Sequence, residues 1–280
     1  IGERIEDWAT MVGLIGEGQE IHSGEEAGIQ QWRDAVSNSS NTKTWSIHCP
    51  PKLKDQFQGL SVSTHEELDL NVSLRSKRAE DLHQWVHLLL SGSLSLAHRQ
   101  ALKIRHAQYP LYVTRDIEEA KRYARQRFDE EPNHRSGLLA SSHAKNLLKH
   151  GIDNGYQATS NMNVAKWYNA PTSDPKSSNA LIQPVTEFSC QGLELDLPIL
   201  CWGSDYRMQS ENWNLTPINR RYKQDDPKAL LRNAYRVLLT RGRDGLIIFV
   251  PNEPLMDATE NALLAAGVQL LPSDVEFIAV

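Results

Sequence analysis

The sequence predicts an α/β fold built on a doubly wound parallel sheet. Three observations carry this. Short apolar runs alternate with amphipathic stretches, the habit of strands flanked by helices. No repeat period or low-complexity tract interrupts that alternation. With 40% hydrophobic residues over 280 positions, the chain has enough apolar side chain for one large core or two modest ones.

The elements follow in order. A first strand is expected at Met11–Ile15, then the turn Gly16-Glu17-Gly18 and a helix around Gly24–Val36, with the polar stretch Ser37–Thr44 as a linker. Leu68, Leu70, Val72 and Leu74 alternate with Asp69, Asn71 and Ser73, the period of a strand with one buried face, and run into Arg75-Ser76. Ala79, Leu82, Val86, Leu89 and Leu90 make the stripe of a helix, with Gly92 placed for a left-handed cap. Next come strand Leu111–Val113 with helix Ile117–Phe128, strand Gly137–Ser141 with helix Ala144–His150 ended by Gly151, and strand Leu181–Glu187. Gly155–Ser178 mixes Asn, Ser, Pro and Tyr without a period and reads as an excursion loop. The sheet resumes at Leu197–Trp202. A helix opened by Asp225-Asp226-Pro227 follows, where Asp can cap and Pro suits the first turn, and Leu246–Val250 is the last strand. Strand, helix, strand in this order implies right-handed crossovers.

Charge and composition narrow the function classes. The longest apolar runs are far shorter than the ~20 residues of a membrane helix, and no charged-then-apolar leader opens the chain, so a soluble, cytoplasmic protein without a membrane partner is expected. The absence of an initiator methionine before Ile1 suggests a piece of something longer. Cys49, Cys190 and Cys201 are odd in number and never spaced Cys-x-x-Cys, which argues against a disulfide framework or a structural zinc site. The net charge of −5 opposes wholesale attraction to nucleic acid. Locally, however, residues 97–127 hold eight Lys or Arg, among them Lys121, Arg122 and Arg125, against three acids. That stretch is either a solvated helix face or a phosphate track.

The most informative segment is Leu230–Val250. Leu230, Leu231, Ala234, Val237 and Leu238 form a buried stripe, and at ~100° per residue Arg241 falls on it. An arginine there can offset the helix macrodipole, worth ~0.3–1 kcal/mol. Alternatively the stripe runs off the sheet into a cleft, where the guanidinium meets a phosphate through two parallel hydrogen bonds.

Tyr235-Arg236-Val237-Leu238-Leu239-Thr240-Arg241-Gly242-Arg243 resembles the last conserved motif of superfamily 1 helicases. Other segments resemble that family in the family's order. Leu14-Ile15-Gly16-Glu17-Gly18-Gln19 is similar to the motif ending the first RecA-like domain, and Leu74-Arg75-Ser76 to a Tyr-Arg-Ser motif, with leucine in place of the aromatic. Thr186–Asp196 resembles the motif that joins a nucleic-acid-facing threonine to a Gly-Leu-Glu carboxylate. More closely, Gly16–Gly28, Leu138–Ser142 and Gln191–Asp196 are similar to a bacterial family of helicase-like ATPases related to the Schlafen helicase-like domain.

This resemblance implies a RecA-like (P-loop NTPase-type) domain, residues 44–280, preceded at 1–43 by the last strand and helix of a first RecA-like domain and a linker. It implies Arg241 as an arginine finger, Arg75 as a second arginine and Gln19 as a γ-phosphate sensor. Gln191, Gly192 and Glu194 would meet the nucleotide, while Thr186 and Ser142 would meet nucleic acid, alongside Lys121, Arg122 and Arg125. ATP with Mg is the implied ligand, and its site would be completed by an N-terminal RecA-like half. Single-stranded or duplex nucleic acid is the implied partner. No Gly-x-x-x-x-Gly-Lys-Ser/Thr loop and no magnesium-holding Asp-Glu pair after a hydrophobic strand occur in the sequence, so this chain alone is not expected to hydrolyse ATP.

Each assignment has a plainer counterpart. Arg75 could pair with Asp69, Glu194 could stabilise a helix start, and Gln19 could bond a turn. His83 and His87 lie four apart on a helix near Glu80, but no third metal ligand is evident. Trp202, Tyr206 and Trp213 could stack bases or fill a core, the core being the more ordinary fate. The rival from another class is a RecA-like scaffold without turnover that serves as a binding module for a nuclease or defence protein. Such a scaffold would leave Arg75 and Arg241 paired with acids inside the domain instead of facing an open cleft.

Overall fold

The structure, a computed structural model, describes residues 8–14, 29–39, 45–69, 77–128, 133–216 and 227–273. The chain divides into two compact units, 1–74 and 75–280. In the first, helix α1 (Ile29–Ser37) is followed by strands β1 (Ile47–Cys49) and β2 (Val62–Thr64), which pair in parallel. A 3-10 turn, Pro51–Phe57, joins the strands. Ile29, Cys49 and Phe57 form its small core, with Ile47, Leu53, Leu60 and Val62 packed around them.

The second unit begins, among the described residues, with helices α2 (Lys77–Leu90) and α3 (Leu94–His106). Strand β3 (Leu111–Thr114), helix α4 (Ile117–Arg127) and strand β4 (Ser136–Ala140) follow, then the short helices α5 (Tyr156–Thr159) and α6 (Val164–Asn169). Strand β5 (Val185–Thr186), helix α7 (Glu187–Cys190) and strand β6 (Leu197–Cys201) lead to the hairpin β7 (Tyr206–Gln209) and β8 (Asn212–Leu215). Helix α8 (Pro227–Leu239), strand β9 (Leu246–Phe249), helix α9 (Asp257–Ala265) and strand β10 (Gln269–Leu270) complete it.

Among the described residues six strands pair in the order β10-β3-β9-β6-β4-β5, all in parallel. Every residue of β4, β6 and β9 is buried, as a sheet covered on both faces requires. Side chains alternate between faces. Leu197, Ile199 and Cys201 of β6 and Ile247 and Phe249 of β9 pack with Ala120, Tyr123 and Ala124 of α4. On the other side α2, α3 and α9 are tied together: the Trp85 indole donates to Ala266 O (3.0 Å), and Arg105 donates to Gly267 O (3.4 Å). This is the expected RecA-like α/β architecture. Gly137 permits one close approach, because a Cβ there would lie 2.6 Å from the Trp167 ring.

Several expected elements differ. Met11–Leu14 lies in no strand, and Ile15, Gly16–Gly18, Gln19 and the start of the following helix lie outside the described residues. Leu68 closes a 3-10 turn, Glu66–Leu68, while Leu70–Leu74, Arg75 and the Asp225-Asp226 cap also lie outside the described residues. The expected helix at Ala144–His150 is a 3-10 helix, Lys145–His150, ended as foreseen by Gly151 at φ 74°. The expected strand Leu181–Glu187 shrinks to β5. Leu181 caps a 3-10 turn in the left-handed conformation, φ 54°, and Glu187 already starts α7. The excursion loop contains α5 and α6, each too short to show a helical period. Among the described residues no helix is long and apolar enough to cross a membrane.

Candidate functional site

Among the described residues singled out in the sequence, Ser142 and Thr186 lie at one edge of the main sheet and Gln191, Gly192, Glu194 and Arg241 at the opposite one. At the C-terminal edge, β4, β5 and β6 end in Ser141-Ser142, Thr186-Glu187 and the loop Trp202–Asp205. Strands β4 and β6 are neighbours whose outgoing connections lead to opposite sides, the kind of switch point where open α/β sheets bind ligands. Thr186, at 4% exposed, stands at the N-cap position of α7 without a side-chain capping hydrogen bond. Ser142 is brought to it through Glu187: the Ser142 hydroxyl donates to Glu187 Oε1 (2.7 Å), and the Ser142 backbone N–H donates to Oε2 (2.9 Å). The Ser142 hydroxyl also lies 3.0 Å from His143 Nδ1. Behind them Asp205 accepts from the Ser141 hydroxyl (2.6 Å) and the Tyr235 hydroxyl (2.8 Å), while Tyr235 accepts from Gly203 N (3.0 Å). Burial pushes the carboxyls of both Glu187 and Asp205 above the usual range. Their hydrogen bonds hold the loops of this edge in one arrangement, since a buried carboxylate is tolerable only when its acceptors are used.

The N-terminal edge gathers the other set. Leu195 bridges Gly242 immediately before β6, with Leu195 N donating to Arg241 O (2.9 Å). Arg241 is only 5% exposed. Its Nε donates to Val237 O (2.9 Å), Nη1 to Leu193 O (3.1 Å) and Nη2 to the Thr240 hydroxyl (3.1 Å). The guanidinium thus ties the end of α8 to the segment bearing Gln191, Gly192 and Glu194. Those three are exposed, Gly192 turning the chain at φ 84°, and Glu194 O accepts from the Tyr168 hydroxyl (2.9 Å). The bonds to Val237 O and Leu193 O are those of an arginine closing a helix end, where a cation also meets the negative end of the macrodipole.

Lys121, Arg122 and Arg125 lie on α4, apart from both groups, and each makes local contacts. Lys121 pairs with Glu118 (2.8 Å), Arg122 with Glu119 (3.7 Å), and Arg125 donates to Ala180 O (3.3 Å). The Trp202–Tyr206–Trp213 cluster is core. Trp202 and Tyr206 are fully buried, stacked or tilted against Trp213 and Tyr235, and the Trp213 indole donates to Leu89 O (2.7 Å). His83 is half-buried and His87 exposed, and among the described residues no group of three metal-ligating side chains forms.

Sequence reasoning passed over Glu187, Asp205, Tyr235, Asp196 and Arg243. The signal for Asp205 was present, as a carboxylate four residues past a wholly apolar strand of a parallel sheet. Asp196 is buried beneath the N-terminal edge, accepts from Arg135 N (2.6 Å) and meets the Arg243 guanidinium. His134 lies 3.4 Å from it, yet burial, then Arg135, holds the imidazole down to about 4. A lowered histidine value means that the folded state prefers the neutral ring, so stability is present above about 6.5 and is lost as pH falls toward 4. Thermal melting across that window should therefore fall more steeply for the unsubstituted protein than for His134→Gln. Parallel curves would show that His134 does not carry the slope.

Comparison with known proteins gives the family. Residues 1–252 match the family model described as Schlafen group 3, DNA/RNA helicase domain, and the chain belongs to that family. No curated protein matches the chain. Among solved structures, it is similar to the C-terminal domain of a possible DNA helicase from Lactobacillus plantarum WCFS1, at 16% identity and a TM-score of 0.29, over 71% of this chain and 99% of that one. The protein is thus a helicase-like α/β domain of the Schlafen group 3 type.

Proposed function

We propose that this domain is the C-terminal half of a nucleic-acid-dependent ATPase of helicase type, corresponding to residues 44–280, with 1–43 belonging to a preceding RecA-like half. The observation that carries the reading is the segregation of two candidate groups to opposite edges of one parallel sheet, Thr186 and Ser142 on one side and Gln191, Gly192, Glu194 and Arg241 on the other. On this reading the N-terminal edge meets ATP, with the Glu194 carboxylate accepting from the ribose and Arg241, Arg75 and Gln19 serving the phosphates. The exposed Gln191–Glu194 turn fits sugar contacts. The sequence holds neither a Gly-x-x-x-x-Gly-Lys-Ser/Thr loop nor an Asp-Glu pair after a hydrophobic strand, so this reading gives the phosphate-binding loop and the Mg-holding acid to the N-terminal half.

Nucleic acid would follow the other edge, with Lys121, Arg122 and Arg125 adding sequence-independent phosphate contacts. The test is ATP hydrolysis by the full-length protein with and without single strands, alongside the triple variant Lys121→Ala, Arg122→Ala, Arg125→Ala. Stimulated turnover in the parent and a shallower salt dependence of strand binding in the variant are expected, the slope falling by about 0.7 for each phosphate that is no longer neutralised. Turnover that ignores nucleic acid would remove the motor reading. An unchanged slope would leave α4 a solvated face.

One observation favours a second reading. Arg241 is buried against carbonyls of its own domain, as in a scaffold that keeps the fold without turnover. That form predicts no ATP hydrolysis by the full-length protein under any condition.

A further inference from the structure

Two arginines stand at the N-terminal edge in different circumstances. Arg241 is buried and spends its donors on Val237 O, Leu193 O and the Thr240 hydroxyl. Arg243 has a side chain 63% exposed. Its backbone N–H donates to Leu195 O (2.7 Å), which fixes its Cα beside the exposed Glu194 turn. Its Nε donates to Asp244 (3.0 Å), and Nη2 forms an ion pair with the buried Asp196. A guanidinium carries five N–H donors in a rigid plane. With Nε bonded to Asp244 and Nη2 paired with Asp196, the outer edge of the guanidinium plane, one hydrogen from Nη1 and one from Nη2, is the edge a two-point acceptor would meet. An arginine anchored at its base and open at its tip has lost much of its rotamer freedom beforehand, so a bidentate contact costs less to form.

We propose that Arg243 is a phosphate-contacting residue of this edge, receiving the triphosphate tail of the nucleotide through Nη1 and Nη2. Arg241 stands beside it, donating to Leu193 O of the 191–194 turn in this structure. This rests on the reading that the N-terminal edge meets ATP, and it adds a residue outside the expected set. Asp196 and Asp244 are then positioning residues that aim the fork. Lysine cannot reproduce a two-point contact, although it keeps the charge.

The experiment is calorimetric titration of the full-length protein with a non-hydrolysable ATP analogue, with adenosine as the control probe. Arg243→Gln should weaken the analogue by on the order of tenfold, the scale of one charge-assisted phosphate contact, and leave adenosine binding unchanged. Arg243→Lys should recover part of the loss. Equal loss on both probes would show a merely structural role, and no loss on either would show a surface ion pair. Each overturns the assignment while leaving the nucleotide reading intact. Failure of the unsubstituted protein to bind the analogue would instead sink the nucleotide reading and this inference with it.

Discussion

Replacement of Arg241 by alanine is expected to lower nucleic-acid-stimulated ATP hydrolysis of the full-length protein by about 10³, the usual scale of an arginine finger. The same substitution should also cost stability, about 1 kcal/mol, because the half-buried Leu193 O loses the donor that ties it to the end of α8. The two effects separate on paired assays of steady-state turnover and thermal melting. For the guanidinium to reach a phosphate, its bonds to Val237 O and Leu193 O must be exchanged for bonds to the nucleotide, so a loss of turnover larger than any loss of folded protein marks a chemical role. A variant that melts several degrees lower yet turns over at the parent rate would show Arg241 to be a helix-end clasp, and the scaffold reading would gain accordingly.

Asp205→Ala should be among the most destabilising single changes at the opposite edge. It strips the acceptor from the Ser141 and Tyr235 hydroxyls together, both in a buried setting. At about 1–3 kcal/mol for each stranded group, less the relief of removing a buried carboxyl, a net loss of about 3 kcal/mol is expected. Asp205→Asn keeps the shape and one acceptor oxygen and should cost about 1 kcal/mol. The pH dependence follows from the raised carboxyl. The folded state prefers it protonated, so its contribution is fully present below the unfolded value and is lost as pH rises through the folded one. Urea unfolding of the parent should show that decline with rising pH, and Asp205→Asn should show a shallower one, the remainder belonging to Glu187. Equal losses for the Ala and Asn variants would mean that packing, rather than the acceptor role, holds this edge.

The long, strongly patterned elements were legible because their burial is set by local order. The stripe through Leu82, Val86 and Leu89 gives α2, the run Leu230–Leu238 gives α8, and the wholly apolar Leu197–Cys201 gives β6. Helix α3 was missed because its buried face is Ala97, Gln100, Ala101 and Ile104, two small residues and an amide that give little contrast with the charged side. Helix α9 and the edge strand β10 were not read either, and the β7–β8 hairpin is too short to sustain a visible alternation. Of the candidate site, the residues in motif-like runs could be named, but their division between two edges could not. It depends on how β4, β5, β6 and β9 neighbour one another, which pairs residues such as Ser141 and Asp205 that stand far apart in sequence. The same distance hid Glu187 and Tyr235, whose partners Ser142, Gly203 and Asp205 lie in the loops that follow β4 and β6.

The segment joining the two edges has an energetic consequence. Thr186 and Glu194 sit at opposite ends of the sheet, separated by the length of the five-residue β6, roughly 17 Å, yet they belong to one short, continuous stretch of backbone. If the proposed ligands meet these two ends, a shift of α7 favoured by one of them would act on the other through that shared backbone. Thermodynamic reciprocity then fixes the size of the effect in both directions. By whatever factor an occupied Thr186 edge tightens the hold on a ligand beside Glu194, that second ligand must tighten the hold at Thr186 by the same factor. Measuring either affinity change therefore determines the other, and two values that disagree mark a molecule being driven rather than one at equilibrium.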